Sequence, residues 1–267
     1  MPTAQPTSLP RGPRPHVPLT SLSIEDYVAT LTLYPAADGV SRDFVDALAD
    51  SCEEVAGARG RAYAVVVRCV PEFPSRWSPE ALAEPVLNGV RPLGAAFDAL
   101  ASLPQPTIAA VRGAAHSAGL ELALACDMRV AANSATFAAP ETGLGMMPLG
   151  GATQRLPRAV GRSQALRLLL SGLEIDAVEA RRIGLLVEVV SEGGEVDAAV
   201  RLARTIASRA PIATRFAKEA VWRGLEQPLQ QGLRTELDLT VILQTTADRA
   251  EGVRAFVEGR TPRFTGS

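Results

Sequence analysis

Gln105-Pro-Thr-Ile-Ala-Ala-Val-Arg-Gly-Ala-Ala-His-Ser-Ala-Gly-Leu-Glu-Leu-Ala-Leu-Ala-Cys-Asp-Met-Arg-Val-Ala131 is the stretch on which the reading of this chain turns. It opens on a β-branched run, Thr107 to Val111, and crosses a loop with almost no side-chain bulk. It then enters a short apolar helix from Gly119 to Ala125 and leaves on a second strand from Asp127 to Ala131. The loop residues Ala114, Ala115, Ser117, Ala118 and Gly119 let a ligand carbonyl come close to the backbone. The helix that follows has unpaired N–H groups at its start and the positive end of its dipole behind them. Negative charge developing on an oxygen would be stabilised there. The plainer alternative is a small-residue turn that only allows tight helix packing.

Outward from this stretch, strands and helices alternate. Val28 to Leu33 reads as a strand, and Tyr63 to Cys69 as a more deeply buried one. Between them Phe44, Val45, Leu48, Cys52 and Val55 share one helical face, with Ser41 as N-cap. A long helical segment from Pro79 to Leu103 precedes the central stretch, and Leu186 to Val190 reads as the last strand. From Glu195 the pattern is helical only, with breaks at Pro211 and Gly224. The division expected is a Pro-rich tail over 1–18, an α/β core over 19–194 and a helical region over 195–267.

Two carboxylates stand out. Glu121 lies in the first turn of the short helix, where an acidic residue commonly answers the helix dipole. Glu141 follows Ala139-Pro140, and its ordinary role is that of a solvated loop carboxylate. His116 lies beside the small-residue loop and reads as structural rather than catalytic.

The stretch from Gln105, continued by Ala135-Thr-Phe-Ala-Ala-Pro-Glu141 and by Gly145 to Arg155, resembles the signature of the crotonase (enoyl-CoA hydratase/isomerase) superfamily in order and spacing. Looser matches run from Tyr27 to Gly266, among them Ala159-Val-Gly-Arg162, Ser171 to Glu188, and Glu251 to Thr265. The resemblance implies an α/β fold, a spiral of ββα repeats with a C-terminal helical region that packs in a trimer or a dimer of trimers. It implies enoyl-CoA hydration, with Glu121 and Glu141 as the acid/base pair and the Ala118 amide as one donor of an oxyanion hole. Two carboxylates suit that reaction: one takes a proton from water as oxygen adds at C3, and the other gives a proton to C2. Which glutamate plays which part stays open. Substrate contacts implied by the same alignment are Phe73, Ser75, Ser117, Gly119 and Leu149.

The chain departs from the family in three places. Its second oxyanion donor usually comes from a Phe-x-x-Gly-x-Asp loop, whereas this chain has Pro71-Glu-Phe-Pro-Ser-Arg-Trp-Ser-Pro79. Matching Phe73 puts Arg76 at the glycine and Trp77 at the donor, and Trp77 N–H can still serve. Its side chain either narrows the acyl pocket or packs as a partly exposed loop tryptophan. Leu149 replaces a glycine that lines the site in many relatives, and Tyr34 to Gly39 is a shorter, less basic loop than the one that touches the CoA nucleotide. Arg76 and Arg260 are available for phosphate contacts.

Composition narrows the alternatives. With 27 basic and 29 acidic residues among 267, no basic field exists to hold nucleic acid or an anionic membrane. Cys52, Cys69 and Cys126, odd in number and set in apolar runs, read as buried free thiols in a cytoplasmic protein. No Cys/His spacing suggests a metal, and no cofactor is expected beyond the coenzyme A of an acyl-CoA substrate. The alternatives to hydration are isomerisation, thioester hydrolysis or retro-aldol cleavage on a specialised acyl-CoA, or a non-catalytic acyl-CoA binding protein.

Overall fold

The computed structural model of the chain describes residues 18–83 and 86–267, so the Pro-rich tail read from the sequence lies outside the described residues except for Pro18. The chain enters as a hairpin, β1 (Thr20–Glu25) and β2 (Val28–Leu33), turned by Asp26 and Tyr27, both at positive φ. β1 escaped the sequence reading: its residues alternate between half-buried and exposed, and only Leu22 and Ile24 pack on the core. α1 (Arg42–Gly57) then leads to β3 (Ala64–Cys69), with Ser41 accepting from Phe44 N–H at the N-cap as expected. The helix expected over 79–103 is helical in its described residues, α2 (Pro79–Ala83) and α3 (Val86–Ala101).

The stretch that opened the reading folds as β4 (Thr107–Val111), β5 (Ala114–His116), α4 (Ala118–Ala125) and β6 (Met128–Ala132). Next come β7 (Thr136–Ala138), a 3-10 turn over Pro140–Leu144, α5 (Ala152–Val160), α6 (Arg162–Ser171), β8 (Ile175–Asp176), α7 (Ala177–Arg182) and β9 (Glu188–Val190). Four helices close the chain: α8 (Glu195–Ala207), α9 (Pro211–Gly224), α10 (Leu229–Leu243) and α11 (Ala247–Glu258).

The strands form a six-stranded sheet, β1-β2-β3-β4-β6-β9, parallel from β2 onward, and a three-stranded sheet, β5-β7-β8. The chain steps from one sheet to the other at β4 to β5 and again at β6 to β7, and this winds it into a spiral. Both faces of the large sheet are buried, as a parallel sheet requires. Leu31, Val67, Ala109 and Ala131 meet α1, α3 and α4, while Val66, Ile108 and Val130 meet Ala198, Ala199 and Ala203 of α8. The three cysteines are free and buried, and burial pushes the Cys52 and Cys126 thiols up to about 12, so they are unreactive packing groups.

All eight residues of α4 are buried, which makes it a fixed platform. Its C-terminal end is held by Arg129, itself buried, whose guanidinium donates to Cys126 O at 2.8 Å, Leu185 O at 2.6 Å and Ala123 O at 3.4 Å. Asp127 ties β4 and α9 to the same corner: it accepts from Thr107 N–H at 2.7 Å and Trp222 Nε1–H at 2.9 Å, and pairs with Lys218 at 2.7 Å. Among the described residues no helix is long and apolar enough to cross a membrane.

Candidate active site

The turn from β5 into α4 is so sharp that Ser117 sits at φ +48° and ψ −118°, a conformation that suits glycine far better than serine. It is held there by Ser117 N–H donating to Ala138 O of β7 at 3.0 Å and by Glu121 N–H donating to Ser117 O at 3.0 Å. The turn points the start of α4 at the loop that carries Phe73 and Trp77. Ala118, Gly119 and Leu120 follow the N-cap and have no intrahelical acceptor for their N–H groups.

Gly119 needs its missing side chain, though for a reason other than the expected ligand carbonyl. A Cβ there would meet the Pro74 carbonyl oxygen at 1.9 Å, so the room at Gly119 is taken by the chain's own 73–77 loop. That loop is anchored at both ends. Phe73, buried, donates its N–H to Arg112 O at 3.0 Å, while Val40 N–H donates to Arg76 O at 3.1 Å and Ser78 N–H to Val40 O at 2.9 Å. These bonds pair Trp77 with Val40 as a parallel bridge and turn the N–H of Trp77 itself to the opposite side. Ser75 and Leu149 are half-buried, and Arg76 is exposed.

Trp77 is not the partly exposed loop residue that one reading allowed. It is 2% exposed, its ring lies 5.4 Å from that of Phe97 at a tilt of 45°, and its indole N–H donates to Glu121 Oε2 at 3.2 Å. Glu121 Oε1 accepts two further bonds, from Gly150 N–H at 2.7 Å and Ala152 N–H at 3.1 Å. Gly150 and Ala152 are residues that sequence reasoning missed. The glycine pair Gly150-Gly151 ahead of α5 was the available signal, because a Cβ on Gly150 would strike the Phe97 ring at 2.3 Å.

Both expected glutamates are buried, Glu121 at 1% and Glu141 at 4% exposure, which overturns the ordinary reading of Glu141 as a solvated loop carboxylate. Burial pushes the Glu121 carboxyl up to about 7 against the pull of its Ala152 and Gly150 donors, and the charge of Glu141 adds to the rise while Trp77 opposes it. Glu141, on the 3-10 turn, is treated oppositely. Neither of its carboxylate oxygens has a hydrogen-bond partner among the described residues. A buried carboxylate left without donors is costly, and such groups mark places where a ligand completes the bonding.

His116, read from the sequence as structural, is engaged by side chains of β7 and of the segment before β8. Its Nε2 lies 2.9 Å from Thr136 Oγ1 and 3.1 Å from Glu174 Oε2. Arg260 is paired with both Glu251, at 2.6 Å, and Glu258, so its charge is matched within the chain. Clefts of about 370, 530 and 500 Å³ lie among the C-terminal helices and along α5, and none of them is lined by Glu121 or Glu141. The two candidate carboxylates lie instead where α4 meets the 73–77 loop, near enough to each other that the charge of Glu141 bears on Glu121.

Comparison with known proteins supplies the family. Residues 91–267 match the enoyl-CoA hydratase/isomerase family. The chain is 43% identical over 171 residues to a probable mitochondrial enoyl-CoA hydratase 2 of Arabidopsis thaliana, covering 64% of this chain and 57% of that one. It is 47% identical over 171 residues to a mitochondrial methylglutaconyl-CoA hydratase of Mus musculus, covering 62% of this chain and 54% of that one. It thus spans little more than half the length of these curated relatives. The crystal structure of an enoyl-CoA hydratase from Bacillus anthracis superposes with a TM-score of 0.88 at 32% identity, over 93% of this chain and 100% of that one. The chain belongs to the enoyl-CoA hydratase/isomerase family.

Proposed function

We propose that this member of the family adds water across the 2,3 double bond of an enoyl-CoA thioester. The observation that carries the reading is the pair of buried carboxylates, Glu121 held by three donors and Glu141 by none among the described residues. In the step proposed, which starts with Glu121 ionised and Glu141 carrying a proton, the water oxygen bonds to C3 while its proton passes to Glu121, and Glu141 delivers its proton to C2. The pair gains one proton and loses one. Three hydrogen bonds that favour a carboxylate over its acid support Glu121 as the base, and a proton affinity near 7 is what a general base at neutral pH needs. Negative charge passing through the thioester oxygen would be met by the Ala118 N–H at the start of α4 and by the Trp77 N–H, which points away from Val40.

The substrate is taken to be an acyl-CoA, with Phe73, Ser75, Ser117 and Leu149 around the acyl group, no further cofactor, and a cytoplasmic setting. A trimer or dimer of trimers is supported by the apolar surface of the last helices. Leu233, Leu237, Val241 and Ile242 of α10 and Phe256 and Val257 of α11 are exposed in the single chain, although Leu239, grouped with them in sequence, turns inward. The test is to incubate the purified protein with short, medium and branched enoyl-CoA esters and follow loss of the conjugated thioester absorbance. No loss with any of them refutes hydration.

A further inference from the structure

Glu121 has two oxygens and about four lone-pair positions to offer. Gly150 and Ala152 occupy both positions on Oε1, and the Trp77 indole N–H occupies one on Oε2. Among the described residues a single acceptor position remains, and it lies on Oε2. We infer that Trp77 is a positioning residue for Glu121, its indole N–H fixing which oxygen of the carboxylate, and which side of that oxygen, receives the proton of the attacking water. The inference rests on the hydration reading above.

Trp77 is held for this task at its ring and at its backbone. Its ring packs on Phe97, which is fully buried and lies against Gly150, the residue that bonds the other oxygen of Glu121. Its backbone is bridged to Val40. Gly39, at φ +120°, makes room for that bridge, since a Cβ on it would meet Arg76 O at 2.7 Å. One carboxylate is therefore gripped by two backbone amides and one indole whose own positions depend on each other through Phe97. A tryptophan present only to fill space would serve equally well without its N–H.

Among the described residues the other ionisable groups around Glu121 are few. Glu141 bears on it from the 3-10 turn. Arg155 of α5 lies behind Gly150, donating to Gly150 O at 2.6 Å and pairing with Asp98 of α3 at 2.5 Å. Removing the indole N–H takes away a donor that favours the ionised carboxylate, so Glu121 should titrate at higher pH and the acidic limb of the activity profile should move with it.

The experiment uses two variants of the full chain. Trp77→Phe keeps an aromatic ring and removes the N–H. Replacement of Trp77 by benzothienylalanine keeps the shape and exchanges the N–H for sulfur. With a short enoyl-CoA as probe, both are expected to lower kcat about tenfold, as misplacement of a reacting group does, with KM changed less than about threefold. Titration of carboxyl-labelled glutamate by carbon NMR, with the Glu121 signal identified by its loss in Glu121→Gln, is expected to move upward in both. The benzothienyl variant decides the matter if Trp77→Phe fails to fold. A benzothienyl variant with unaltered kcat, acidic limb and Glu121 titration overturns the positioning role. If the titration moves but the parent protein turns over no enoyl-CoA, the hydration reading fails and the grip of Trp77 on Glu121 stands.

Discussion

Two glutamates twenty positions apart, equally hidden from solvent, are handled in opposite ways. Glu121 projects from a wholly buried helix into three donors, whereas Glu141 rides on a short 3-10 turn with both oxygens unpartnered among the described residues. The difference is one of investment. At the helix the fold spends an indole and two backbone amides to fix a carboxylate in place and orientation, while at the turn no described residue donates to the carboxylate. Under the hydration proposal, such a site would have a rigid half and a half that the substrate completes.

Substituting the two residues should break this symmetry of composition most sharply. Glu121→Gln and Glu141→Gln are each expected to lower kcat by at least about 100-fold, the scale of general acid–base catalysis. Their stabilities should differ. Glutamine at 141 replaces an unsatisfied buried carboxylate by a neutral isostere and should leave the melting temperature unchanged or higher. At 121 the side-chain amide would face the Trp77 N–H donor to donor, at a cost of about 1 to 3 kcal/mol. Equal melting temperatures for the two variants would show that the donors around Glu121 carry no structural weight.

The rigid half should also be visible in the pH dependence of stability. Glu121 holds its proton more tightly in the folded chain, at about 7, than at the usual 4.5 of a free carboxyl. Its contribution is therefore fully present below 4.5 and is lost as pH rises through about 7, an effect on the order of 3 kcal/mol at most. Unfolding followed from pH 4.5 to 8 should show that decline in the parent chain and not in Glu121→Gln. Smaller still is the effect expected of Gly150→Ala. Its Cβ would push the Phe97 ring and through it Trp77, so a loss of about 1 to 3 kcal/mol is expected, with activity falling alongside.

The same contrast separates what the sequence made legible from what it did not. The strand–turn–helix logic of 105–131 and the amphipathic face of α1 were readable because period and small-residue runs are local properties. The two glutamates were readable because their order and spacing match a family pattern. The grip on Glu121 was not, since Phe97, Gly150 and Ala152 reach it from α3 and from the start of α5, and only the folded chain brings them together. β1 was missed because a half-exposed edge strand carries few apolar residues, and Trp77 stayed ambiguous because burial of a loop residue depends on what folds over the loop.

The smallest effect belongs to His116, which borders α4 as closely as any residue and should nonetheless lie outside the chemistry. Its Nε2 is engaged by Thr136 and by Glu174, whose side chain is 56% exposed, and an ion pair with so solvated a partner contributes under about 1 kcal/mol. Burial lowers the proton affinity of the ring from its usual 6.5, with Glu174 opposing, so the folded chain favours the neutral form. Its contribution to stability is present above 6.5 and is lost as pH falls through the lowered value, the reverse of the dependence expected from Glu121. Between 4.5 and 6.5 the two slopes oppose each other in the parent chain. His116→Asn should therefore steepen the fall in melting temperature with rising pH, whereas Glu121→Gln should reverse it, and His116→Asn should keep kcat within about twofold of the parent, as expected of a group that transfers no proton. A tenfold loss of kcat in His116→Asn would place the histidine in the reaction and end the division of this site into two carboxylates and their frame.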